Sequence, residues 1–250
     1  IDTLAAIRIP VTTSTLVFGC SKADDGSYEK YAKGKMHWAK LWYSALGDNE
    51  CREIASWIHE TIPMMVAKYK EYYLSDNATK RANITFIAKN LLSTNHSYGN
   101  ITGGWSKSSL NTWLNTRLIK AVSPIWKSLI KKVNVTANNA DKAKTTSTSE
   151  CYFYLPSIHE IEPSISNDPY SIETDSTISY MTNDIARRRA KVSTPDQYEA
   201  YPTRSANVDQ NVGTWQWGVD GGEDTPGKIN GYYYPQTAGV LIMFSISCEG

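Results

Sequence analysis

The run GVLIMFSISC, residues 239–248, constrains this chain more than any other stretch. Its near-continuous hydrophobicity reads as a strand buried on both faces, which needs paired strands alongside and cover above and below. A chain of 250 residues is long enough to supply both, as one elaborated domain or one domain with an N-terminal appendage. The run is too short to cross a bilayer, and no stretch approaches the roughly 18 consecutive apolar residues of a spanning helix. The start, IDTLAAIRIP, has neither the basic region nor the apolar core of a signal peptide, and a first residue of Ile reads as a processed chain or a fragment.

Upstream, residues 3–18 are rich in β-branched side chains, and Pro10 suits an edge strand or extended arm. The periodicity predicts helices over 36–46, with Trp38, Leu41, Trp42 and Ala45 on one face, and over 50–61, with Ile54, Ile58 and Ile62 at spacing four. Gly47 separates them and Pro63 ends the second. Residues 64–74 are predicted to form a hairpin with 83–88. In GGWSKSSLNTWLN, residues 103–115, the glycines break the chain and Ser106 caps a helix. Leu110, Trp113, Leu114 and Leu118 form its apolar face.

A second helix is expected at SPIWKSLIKK, with Ser123 as cap, Pro124 at the first helical position, and Ile125, Trp126, Leu129 and Ile130 facing inward. VNVTANN reads as a strand, KAKTTSTSE as a loop, CYFYLP as a strand, and 163–200 as a long surface excursion. TWQWGV alternates Trp215, Trp217 and Val219, and the following DGGEDTPGKINGYYYPQTA reads as loop and turn.

Composition removes several function classes. Lys and Arg total 26 against 25 Asp and Glu, so no global field draws nucleic acid or an anionic membrane. ARRRAK, 186–191, has no interleaved aromatics and reads as a structural or solvated basic run. Cys20, Cys51, Cys151 and Cys248 form no C-x-x-C pair, and free thiols are favoured over disulfides. His37, His59, His96 and His159 have no metal-ligand spacing, and SIHEIE lacks the second His of a metalloprotease helix. DGGED, 220–224, offers oxygen ligands but no EF-hand spacing, so a solvated turn is preferred to a Ca²⁺ site. No G-x-S-x-G occurs. Five N-x-[ST] sequons, at Asn77, Asn83, Asn95, Asn100 and Asn134, are what an Asn-, Ser- and Thr-rich chain produces by chance. The 16 Tyr and 8 Trp against 4 Phe favour recognition surfaces, because such side chains give large contact area at low entropic cost.

ITFIAKNLL, GGWSKSSLNTWLN, SPIWKSLIKKVNVTAN, ECYFYLPSIHEI, MTNDIARRR, YPTRSA and GVLIMFSI follow one another in a characteristic order. In this the chain from residue 81 to 250 resembles an uncharacterised family of phage-borne and gut-bacterial domains in the C-type-lectin-like group. Two departures are that the family often has Trp where Pro202 stands, and that residues 1–80 match poorly. The resemblance implies an α+β, C-type-lectin-like domain over 81–250, with two helices, a small antiparallel sheet tying the chain ends together and long loop insertions. Residues 1–80 form a separate strand, linker and helical region. It also implies that the segment between TRS and the last strand, 203–246, is a ligand-binding face of the kind found in phage proteins, some diversified by retroelements.

The residues agree at one point. Asn207, Asp209, Gln210, Asn211, Gln216, Glu223, Asp224, Asn230, Tyr232, Tyr233 and Tyr234 are expected on loops between two hydrophobic strands, where polar and aromatic groups on rigid flanks suit binding. Trp105, Trp113, Arg204, Trp215 and Trp217 are expected as structural support, Arg204 through its fork of donors. The functional expectation is a non-enzymatic, virion-associated tail or receptor-binding domain. Its partners are a host cell-surface protein or glycan and other virion proteins, with no nucleic acid, membrane, metal or cofactor. A homo-oligomeric, trimeric state is compatible with it. The alternatives are an extracellular or cell-surface bacterial adhesin of the same fold, and a cysteine-dependent oxidase (resembling the formylglycine-generating enzymes) or hydrolase, which requires an accessible Cys151 or Cys248.

Overall fold

The computed structural model describes residues 21–22, 28–29, 61–99, 102–139, 141, 145–164, 175–209, 213–222, 224, 226–232 and 237–247, and within 207–209, 213–217 and 230–232 only the backbone. The strand expected at 3–18 and the helices expected at 36–46 and 50–61 lie outside the described residues. The chain divides into two units, Ile1–Ile58 and His59–Gly250. In the first, β1 (Ser21–Lys22) pairs antiparallel with β2 (Tyr28–Glu29).

The second unit is mixed α/β, with several small antiparallel sheets and few helices. Its first strands are β3 (Met64–Tyr69), β4 (Tyr73–Leu74), β5 (Asn77–Arg81), β6 (Ile84–Ala88) and β7 (His96–Ser97). A helical segment follows: α1 (Ser109–Trp113), a π-helical turn (Leu114–Leu118) and α2 (Ile119–Ala121). Next come α3 (Pro124–Leu129), β8 (Ile130–Lys131), β9 (Val133–Asn138), β10 (Thr146–Cys151), β11 (Phe153–Tyr154), α4 (Ile158–Ile161) and α5 (Asp184–Arg187). The chain closes with β12 (Tyr201–Asp209), β13 (Gly213–Val219), β14 (Ile229–Tyr232), β15 (Thr237–Ala238) and β16 (Met243–Ile246).

Of the apolar run, Met243–Ile246 becomes β16, inside a five-stranded sheet ordered β11-β16-β6-β3 with β8 also on β16. Phe244 is flanked across the register by Phe153 and Phe86, with ring centroids 5.7 and 5.4 Å away. Ser245, one of two serines in the run, is buried but shares hydrogen bonds with Thr85 (2.8 Å) and the Tyr154 hydroxyl (2.7 Å). The expected hairpin of 64–74 with 83–88 is present as β3 on β6, with the small β4–β5 pair between them. This sheet starts at Met64, and β5 of the neighbouring β10-β9-β4-β5 sheet spans Asn77–Arg81.

Several local expectations need correction. The helix cap is Ser108, whose Oγ accepts from Asn111 N (3.1 Å), whereas Ser106 sits inside a 3-10 turn over Trp105–Lys107. Gly104 fixes that turn: at φ 62°, a Cβ would lie 2.0 Å from the Asn138 carbonyl oxygen. Leu110, Leu114 and Leu118 are buried as expected, while Trp113 is half-buried with its ring on His96, centroids 3.5 Å apart. In α3, Ile125 is 75 % exposed, whereas Trp126, 45 % exposed, sets its ring edge-on against Phe244 of β16 with centroids 6.0 Å apart, and Ile130 just beyond the helix is buried. Ser123 stands at the N-cap without a side-chain cap bond.

KAKTTSTSE is not all loop, for its second half enters β10, a Thr/Ser edge strand paired with β9 from Thr146 to Cys151. The YPQTA-side loop likewise contains strands β14 and β15. Segment 163–200 is anchored rather than merely superficial, since Ile178, Met181, Arg187 and Ala190 are buried.

Candidate functional site

β12, β13 and β14 form an antiparallel three-stranded meander, with Asn207 opposite Trp215, Asp209 opposite Gly213, and Gln216 opposite Tyr232. Five expected contact residues therefore lie on strands rather than loops: Asn207, Asp209, Gln216, Asn230 and Tyr232. Register with β13 extends the ladder through Gly218 and Gly231, so INGY pairs despite its turn-like composition. Asp224 is exposed beyond β13. Gln210, Asn211, Glu223, Tyr233 and Tyr234 lie outside the described residues, as do the side chains of Trp215 and Trp217.

The turn between β13 and β14 is closed by backbone bonds between Asp220 and both Lys228 and Gly227, and by Gly222 N donating to Asp220 Oδ1 (3.0 Å). Gly227, at φ 89°, lets this turn approach α5: a Cβ there would lie 1.8 Å from the Asp184 carbonyl oxygen. Arg187, buried at the end of α5, donates Nε to the Gly227 carbonyl (2.9 Å) and pairs with Glu162 (2.9 Å) and Asp184 (2.6 Å). Tyr201 at the base of β12 donates its hydroxyl to the Arg187 carbonyl (2.7 Å), and burial pushes that hydroxyl's pKa up.

The first half of β12, Tyr201 to Ala206, is fully buried, and Arg204 fastens it. Its Nη1 donates to Glu160 Oε2 (2.6 Å) and the Leu155 carbonyl (2.8 Å), and its Nε to the Thr136 carbonyl (3.3 Å). Nη2 reaches Asp175 and the Tyr72 hydroxyl. Glu160 also receives Lys68 Nζ at 2.5 Å, the Tyr72 hydroxyl, and the Ser157 backbone N–H at 2.6 Å. The last bond belongs to a capping box, in which Ser157 Oγ accepts from Glu160 N (3.1 Å).

Arg204 and Glu160 have side chains with 0 % exposure, Lys68 3 % and Asp175 16 %. Two cations and two carboxylates thus neutralise each other out of water. Burial pushes the Glu160 pKa up, but the Arg204 and Lys68 charges with bonds from Lys68 and Tyr72 outweigh it and hold the carboxyl at about 2. Asp175 moves the other way: its burial, helped by the neighbouring Glu160 charge, outweighs the pull of Arg204 and raises it. Burial likewise raises Tyr72 well above its ordinary value. With Glu71 also 3.8 Å from Lys68, this network of charges ties β12 to β3 and α4.

Arg204, expected as structural support, is fully buried in this network. Its side-chain partners Tyr72, Glu160 and Asp175, and the Lys68 that shares Glu160 with it, are not among the residues the sequence points to. The S-x-x-E spacing of Ser157 and Glu160 was the one local signal available. Trp105 is fully buried, with Tyr98 beside it at 6.2 Å. Cys151 is buried and free, and burial pushes its thiol up to about 11. That is the opposite of an activated nucleophile, and Cys248 lies outside the described residues. Among the described residues no three His, Cys, Asp or Glu side chains form a group that could hold a metal. No helix among them is long and apolar enough to cross a membrane.

A family described as a domain of unknown function, DUF6273, matches residues 81–237, more than half of the chain. The chain belongs to that family. Within the DUF6273 span fall α1 to α5, Arg204 with Glu160 and Asp175, and the whole β12–β14 meander, whereas β3, β4 and β16, and with them Lys68 and Tyr72, lie outside it. No curated protein and no solved structure matches the chain.

Proposed function

We propose that the chain is a non-enzymatic recognition domain of a phage or prophage tail-associated protein. It holds a host cell-surface protein or glycan with the outer half of the β12–β14 meander and the loops that join it to β15. The observation that carries this reading is the division within β12: its first half is buried and fastened by Arg204 to four separate parts of the fold. Its second half runs into the stretch holding most of the polar and tyrosine residues expected as contacts. Such a stiff base under a polar, aromatic tip lowers the ordering cost of binding.

We read the fold as C-type-lectin-like, on the support of β6 and β16, which join the two ends of the resembling region in one sheet. The virion setting rests on the resemblance of the ordered motifs to phage-borne domains.

The test replaces Tyr232, Tyr233 and Tyr234 with Ala together and measures adsorption to host cells. Adsorption falls at least about tenfold, as expected when aromatic anchors are lost, while the circular dichroism spectrum and Tm stay unchanged. Full adsorption by a folded variant rejects the reading.

A further inference from the structure

The basic run 187–189 divides by charge compensation. Arg187 is matched by Glu162 and Asp184, and the nearby Lys191 by Glu199 (2.8 Å). Arg188 rests Nε on the Pro226 carbonyl (3.2 Å) and its guanidinium over the Tyr198 ring (5.7 Å). Arg189 is 7 % exposed, and its Nη1 donates to the carbonyls of Ala186 and Arg188, both at 2.7 Å. Neither Arg188 nor Arg189 makes an ion pair among the described residues.

Two carbonyl groups at the end of the four-residue α5 offer Arg189 partial charges, which leave most of a buried unit charge uncompensated. The opposite edge of the same guanidinium is vacant: Nε is buried with no acceptor, and Nη2 makes no hydrogen bond among the described residues. A pair of parallel donors on one planar edge is the geometry that takes a carboxylate or phosphate in two bonds. Arg188 adds positive potential from the adjoining position, and the half-exposed Tyr180 and Tyr198 belong to the same region.

We propose that Arg189 is the centre of an oxyanion-binding site, in which the Nε–Nη2 edge receives a ligand's carboxylate or phosphate group. The bound anion supplies the counter-charge that the protein withholds. This site is independent of the reading of the C-terminal loops and stands or falls without it.

The test is thermal unfolding of the full chain in glucuronate, in glycerol phosphate and in chloride at matched ionic strength. Binding to the native state alone raises Tm saturably, by about 2–4 °C at well-occupied concentrations. A rise in glucuronate alone assigns a carboxylate ligand, and one in glycerol phosphate alone assigns a phosphate. Arg189→Gln abolishes the rise, and Arg189→Lys, which keeps the charge but loses the two-donor edge, raises the half-saturating concentration at least about tenfold. The exposed control Lys127→Gln leaves it unchanged. The proposal is overturned if neither anion stabilises the wild type more than chloride, or if the rise survives in Arg189→Gln. Should Arg189→Gln fail to fold, an unchanged half-saturation in Arg189→Lys overturns it equally.

Discussion

Arg204 and Arg189 are the same side chain, both taken out of water, and the protein treats them differently. Around Arg204 stand two carboxylates, a tyrosine hydroxyl and two carbonyls, while among the described residues Arg189 has two carbonyls alone. Burying a charge costs several kcal/mol unless partners repay it, so burial alone says nothing about what an arginine contributes. The partners decide: Arg204 is part of the frame, and Arg189 is held ready with an open edge.

The largest expected effect separates the two directly. Arg204→Met leaves Glu160 and Asp175 facing Lys68 alone and is expected to cost about 3–5 kcal/mol of stability. Arg189→Met removes an unmatched charge and two helix-end bonds, and stays within about 1 kcal/mol of wild type in either direction. Urea unfolding of both variants measures the difference. Comparable losses at the two sites would erase the distinction.

Acid titration gives a smaller effect with a defined sign. Glu160 is held at about 2 against its ordinary 4.5, so between those values the unfolded chain binds the proton more readily than the folded one. The Glu160 contribution is fully present above pH 4.5 and is lost as pH falls toward 2. Asp175, raised above its ordinary 3.8, contributes in the opposite sense, with stability present below 3.8 that fades as pH rises through its folded value. It therefore offsets part of the loss. Urea midpoints measured across this window fall with pH in the wild type, and the slope flattens in Glu160→Gln. An equal slope in that variant would show that the Arg204 cluster does not govern the acid limb.

How far the sequence reveals this contrast depends on the range of the interactions. β16 was legible because ten nearly continuous apolar residues admit few other fates, and the leucines of α1 and the π-helical turn because their spacing is local. Arg204 and the network residues at 68, 72, 160 and 175 share no period or motif. Charge pairing across such separations exists only after folding. Ile125 misleads because helical spacing of apolar residues implies an inward face, whereas in the six-residue α3 only Trp126 of that pair reaches the core, at Phe244. β10 misled because Ser and Thr read as loop, yet such side chains suit an edge strand whose outer face meets water. The triple Arg was seen as one basic run. Only the carboxylates opposite Arg187 and Lys191 distinguish matched cations from unmatched ones.

Ser157 provides the smallest and most local test. Its hydroxyl accepts from Glu160 N while its own N–H donates to Glu160 Oε2, so Glu160 is positioned by its helix end as well as by Arg204. Ser157→Ala removes the hydroxyl and keeps the backbone donor, and is expected to cost about 1 kcal/mol. If Glu160 is held mainly by the two cations, that cost is the same in the presence and absence of Arg204, and a double-mutant cycle with Arg204→Met gives a coupling energy near zero. If the cap orients the carboxylate for Arg204, the coupling rises to about 1 kcal/mol, because the second change removes an interaction that the first has already weakened. The geometry favours the second outcome, since Ser157 N and Arg204 Nη1 share the same oxygen, Oε2, at 2.6 Å each. Among the described residues Arg189 has no carboxylate whose orientation a cap could set, so the same Ser157→Ala change combined with Arg189→Met is expected to be additive.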